Sequence, residues 1–140
     1  MSAMRPKIRT VQILPASTGV SEDGPVIEIG PSRVSAIYDA EQGGLWTTLR
    51  FDVALAVRFT RDYLVQAWMV EAYSRVCEVE DSVWLRDLQV AADQTEFGLG
   101  EYTPIRDARH LFVYFDEHGC LEVAAHGVEV SQEHRPATAR

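Results

Sequence analysis

Apolar residues fall at every odd position from Leu49 to Phe59: Leu49, Phe51, Val53, Leu55, Val57 and Phe59. Successive side chains of a strand point to opposite faces, so this alternation predicts one long half-buried strand. Ala54 and Ala56 interrupt the polar face and mark a spot there for close packing. Alternation over Lys7–Leu14 predicts an earlier strand ended by Pro15, and short runs at Val26–Ile29 and Arg33–Tyr38 predict two more. Between them, Ala16–Pro25 reads as a mobile loop and Asp39–Gly44 as a turn.

The stripe Leu64, Ala67, Trp68, Ala72 fits a helix that Asp62 would cap. Its β-branched continuation, Val76 and Val79, allows a strand instead, so residues 63–79 are helical in their first half only. Ser82–Ala92 carries the better helix signal. Ser82 suits the N-cap, Asp81 suits the positive end of the dipole, and Trp84, Leu85 and Leu88 share a face. A loop follows over Asp93–Pro104, and Ser131–Arg140 reads as a flexible tail after a single domain of residues 1–130.

The last hairpin, His110–Phe115 and Cys120–Ala125, is specified further. Opposing Asp116 to Cys120 pairs Phe115 with Leu121, Val113 with Val123 and Leu111 with Ala125, which makes one face wholly apolar. Gly119 then takes the left-handed seat of a three-residue turn. The other face carries His110, Phe112, Tyr114, Glu122 and His126, with Tyr114 across from Glu122 and His110 across from His126.

Composition sets the class. With 140 residues, 46% of them hydrophobic, the chain can bury a core without disulfides. The expected fold is α+β: an antiparallel, strongly twisted or partly closed β-sheet with one or two covering helices. Cys77 and Cys120 lie outside any CxxC pair, and their bridging stays open. No apolar run has the length of a membrane span, and no secretory signal of the usual form precedes the first strand, so a cytoplasmic protein is expected.

Net charge is −8, and eight acids against two arginines between Glu71 and Glu101 supply six of those charges. Such a field disfavours phosphate backbones and favours a basic protein partner. Glu78, Glu80, Asp81 and Asp87 are the candidate partner-binding residues. No Walker loop, GxGxxG, HExxH or GxSxG occurs, and neither cofactor nor metal is expected. If the protein is an enzyme or a carrier of an apolar metabolite, His110, Tyr114, Glu122 and His126 are its candidate acid–base groups. Pairing of strand edges into a homo-oligomer is a further option.

Ser82-x-Trp84-Leu85, the run His110–Phe115 and the run Cys120–Ala125 resemble small uncharacterised bacterial proteins, among them immunity proteins of toxin loci. The resemblance spans about residues 46–130. It implies an acidic, β-rich domain that inactivates a toxin by occlusion, and it carries over no catalytic residue.

Overall fold

The computed structural model describes residues 5–19, 24–39, 44–94 and 104–135. The strands there are β1 (Ile8–Ile13), β2 (Val26–Ile29), β3 (Arg33–Tyr38), β4 (Leu45–Asp52), β5 (Ala56–Arg61), β6 (Arg75–Val79), β7 (Arg109–Phe115), β8 (Gly119–Ala125) and β9 (Gly127–His134). They form two antiparallel sheets, ordered β1-β6-β7-β8-β5 and β2-β3-β4-β9. One α-helix, α1 (Val83–Asp93), is present among the described residues. The antiparallel α+β class holds, with two open sheets in place of one curled sheet.

The main core lies between the sheets. Leu111, Val113, Phe115, Leu121, Val123 and Ala125 meet Val34, Ala36, Tyr38, Leu49 and Phe51 there. Tyr38 and Phe115 pack edge to face with centroids 5.4 Å apart. Fully burying each such side chain contributes about 1.5–3 kcal/mol.

The hairpin register differs from the sequence expectation by two residues. Phe115 pairs with Gly119, Val113 with Leu121 and Leu111 with Val123. A shift of two preserves the period of a strand, so the apolar face survives intact. The opposite face is re-paired: Phe112 faces Glu122, Tyr114 faces Cys120 and His110 faces Ala124. Glu117 takes the left-handed seat at φ 66°, and Gly119 sits at φ 146°. A Cβ on Gly119 would come within 2.1 Å of the Thr60 carbonyl oxygen, so the close passage of β5 also requires glycine.

The long strand expected over Leu49–Phe59 is two strands in different sheets. Leu45–Arg61 and Gly119–His134 form one paired ribbon that passes from sheet to sheet. Between the Asp52–Gly127 and Ala56–Ala124 pairs lie three residues on one side, 53–55, and two on the other, 125–126. This extra residue turns the ribbon through the corner of the sandwich. Val53 absorbs the turn at φ 52°. Beyond the bend the alternation loses its meaning: Val57 and Ala54 pack on the core, while Leu55 and Phe59 are each 38% exposed.

Residues 63–79 hold no α-helix. Two 3-10 turns, Asp62–Leu64 and Met69–Ala72, lead directly into β6, and neither has a side-chain cap. Met69 and Ala72 cover Phe112, Tyr114, Cys77 and Cys120 on the outer face of the five-stranded sheet. The second half, left open to strand, is β6.

The loop expected over residues 16–25 is anchored where it is described. Thr18 is fully buried and exchanges bonds with Ser74, its Oγ1 accepting from the Ser74 amide at 2.7 Å and its own amide donating to Ser74 Oγ at 3.1 Å. At the other end, β9 runs to His134 along β4, so the boundary expected at residue 130 falls inside a strand. Most of the 39–44 turn and of the 93–104 loop lies outside the described residues.

Candidate functional site

On the outer face of the five-stranded sheet, His110 of β7 and Glu122 of β8 are diagonal neighbours. Imidazole Nε2 lies 2.5 Å from Glu122 Oε2. The other imidazole nitrogen, Nδ1, lies 2.7 Å from the hydroxyl of Ser82. Ser82 reaches it because it is the N-cap of α1, where its Oγ accepts the Leu85 amide at 3.1 Å. All three residues are at most 5% exposed.

Arg58 of β5, directly opposite Glu122 in the register, donates twice to the carboxylate, 2.9 Å from Nε and 2.9 Å from Nη2. Its guanidinium also lies 4.3 Å from the centre of the Trp84 ring. Burial pushes the Glu122 carboxyl up, but the bonds from His110 and Arg58 and the charge of Arg58 outweigh it and hold the group below its ordinary value.

The hydrogen bonds fix one proton position on the imidazole. A carboxylate only accepts, so the bond to Glu122 places hydrogen on His110 Nε2. With the imidazole neutral, Nδ1 accepts the Ser82 hydroxyl proton, while Ser82 Oγ accepts from Leu85. Every polar atom of this buried chain is satisfied, and no buried side-chain nitrogen or oxygen among the described residues lacks a partner.

A cleft of about 520 Å³ opens above this chain. Ser82, His110, Arg58 and the indoles of Trp68 and Trp84 line it, with Arg5, Lys7, Glu80 and Arg86 among its charged residues. Trp84 stands edge-on to His110 at 5.0 Å, and Trp68 edge-on to Phe112 at 5.2 Å. The volume suits a small organic ligand.

Of the four expected acid–base residues, the structure brings together His110 and Glu122. Tyr114 lies at the other end of β7, its hydroxyl donating to Asp62 Oδ1 at 2.7 Å under the 3-10 turns. Burial first, then the bond and charge of Asp62, push its phenol up to about 12. His126 occupies the bend between β8 and β9, where its amide donates to the Asp52 carbonyl; it is not across from His110. Ser82 was legible as a helix cap, and its second bond was not, because 28 residues separate it from His110.

The acidic segment meets bases from elsewhere in the chain. Glu78 Oε1 accepts from Arg9 (2.7 Å from Nη2) and from Arg109 (2.8 Å from Nη2). Burial alone would raise Glu78, but these two arginines hold it below its ordinary value. Glu80 lies 3.7 Å from Lys7, and Glu71 pairs with Arg5. The backbone oxygen of Asp81 accepts from Arg86 at 3.4 Å, and Asp87 is exposed on α1. The basic side chains of residues 5–9 thus line up along the acids of 71–80.

Cys77 and Cys120 are free and buried on β6 and β8, with β7 between them. Two strand spacings, roughly 9–10 Å, exceed the reach of a disulfide. Among the described residues no group of three or more His, Cys, Asp or Glu is placed to hold a metal ion, and no helix is long and apolar enough to cross a membrane. No family model matches the chain, and neither a curated protein nor a solved structure matches it.

Proposed function

We propose that the cleft between α1 and the outer face of the five-stranded sheet is a binding site for a small ligand with a flat apolar part, which makes the protein a small-molecule enzyme or carrier. The observation that carries this reading is the buried Ser82–His110–Glu122–Arg58 chain on the cleft wall. A buried ionic chain stabilises a fold little better than apolar side chains of the same volume. A shifted carboxylate clustered with a histidine and a serine on a cleft wall is a functional-site candidate. Two indoles supply flat apolar contact, and Arg58 and Arg86 supply charge for a polar end.

The alternative, capture of a basic protein by Glu78, Glu80, Asp81 and Asp87, draws on a weaker field than the sequence suggests. Glu78 and Glu80 already face Arg9, Arg109 and Lys7. A fragment screen followed by amide and indole NMR shifts tests the cleft reading. Binders are expected to move the Trp68 and Trp84 indole signals, and Trp84→Leu should abolish binding while the fold persists. Binders that gather elsewhere on the protein, or no binder at all, would overturn it.

A further inference from the structure

Resting on that reading of the cleft, we infer that Ser82 is a nucleophile for acyl transfer, with His110 as its base and an ester carrying a flat apolar group as its substrate class. Three independent features meet at this residue. Its hydroxyl oxygen lies 2.7 Å from His110 Nδ1, which accepts the hydroxyl proton when the imidazole is neutral, and the far side of the ring is held by a buried carboxylate. That is the order of donors and acceptors by which an adjacent base activates a serine.

The second feature is the local backbone. Ser82 stands at a tight strand-to-helix turn between β6 and α1, and Asp81 before it is held in the left-handed region at φ 51°. A sharp, strained turn of this kind presents a nucleophile at the head of a helix, although the flanking glycines of the usual motif are absent here.

The third is the supply of donors. In the first turn of α1, Leu85 donates to Ser82 Oγ and Arg86 to the Ser82 carbonyl. The amides of Val83 and Trp84 are the first-turn donors of α1 that neither an intrahelical carbonyl nor the Ser82 side chain takes. Both residues line the cleft beside Ser82. Amides so placed stabilise an oxyanion in acyl transfer.

In the reaction, Ser82 Oγ bonds to the ester carbonyl carbon while its proton passes to His110 Nδ1. The tetrahedral oxyanion collapses, the bond to the alcohol oxygen breaks, and that oxygen takes the proton from Nδ1. Water then attacks the acyl-serine by the same route, releasing the acid and restoring the hydroxyl. Glu122 acts through His110 as a positioning residue. Arg58 shares the carboxylate, so the imidazolium formed in the transition state receives less than a full counter-charge, and slow turnover is expected.

The test uses the full chain with an alkyl fluorophosphonate and with p-nitrophenyl acetate, followed by intact mass and peptide mapping. An adduct on Ser82 is expected, absent in Ser82→Ala and in Ser82→Asp, the latter keeping an oxygen for the Leu85 amide so that the helix stays capped. His110→Gln should slow labelling about a hundredfold. Glu122→Gln should displace the pH profile of labelling, which a carboxylate serving stability alone would leave in place. An unlabelled Ser82, or labelling at an unchanged rate in His110→Gln, overturns the nucleophile. If fragments still move the Trp84 indole in that case, the binding cleft survives by itself; if neither is seen, both readings fall.

Discussion

Replacing Arg58 by Met asks whether burial or charge dominates at the cleft wall. Glu122 is 1% exposed and accepts three bonds, two from Arg58 at 2.9 Å and one from His110 at 2.5 Å. Arg58 is 46% exposed, so water already competes for its guanidinium. Methionine keeps an apolar stem beside Trp84 and removes two of the three donors. Each lost charge-assisted bond costs about 1.5 kcal/mol at the low end that this exposure dictates, so the variant should lose ~3 kcal/mol.

The opposite change, Glu122→Gln, leaves the guanidinium where water reaches it and keeps an amide oxygen as acceptor. Its cost should be about 1 kcal/mol. At roughly 3 °C per kcal/mol for a domain of this size, Arg58→Met lowers Tm by about 10 °C and Glu122→Gln by about 3 °C. Urea unfolding followed by tryptophan fluorescence and circular dichroism measures both. The Arg58→Met deficit should also shrink between pH 7 and about pH 5, as the buried carboxyl, stripped of its guanidinium, takes up a proton. Equal costs for the two variants, or a deficit that ignores pH, would refute the argument.

Three further outcomes are expected. Glu78 and Glu122 are both held below the ordinary value of 4.5 in the folded state, so the unfolded chain binds their protons more tightly. Their stabilisation is therefore full above about pH 4.5 and lost as pH falls through the folded values, which acid titration of the urea midpoint would show. Val53→Asn should raise stability by about 1 kcal/mol, since asparagine tolerates the left-handed seat that strains a β-branched residue; a fall in the urea midpoint would count against the strain. Cys77 and Cys120, pushed up chiefly by burial, should resist a thiol reagent at neutral pH until denaturant is added, and prompt reaction would contradict their packing.

Local chemistry alone determined several elements. Strands β2 and β3, the Ser82 cap and the apolar face of the last hairpin all follow from side-chain period and capping, which act over a few residues. His110 and Glu122 were legible as a shared face for the same reason, since even a slip of two residues leaves strand parity unchanged.

The tertiary structure decided what depends on distant partners. Alternation over Leu49–Phe59 says that each segment has an apolar side, but not that the segments serve different sheets. The bend at Val53 arises because residues 125–126 of the facing strand turn the same corner with one residue fewer. A helical stripe at residues 64–72 becomes two 3-10 turns because packing on Phe112 and Cys120 outweighs a weak propensity. The acidic stretch loses much of its field once β1 lays Arg9 against Glu78 beside the Lys7–Glu80 pair. Ser82, finally, is a helix cap in one dimension and a partner of His110 in three. Hydrogen bonds depend on distance in space, and the chain brings residues 58, 82, 110 and 122 together only by folding.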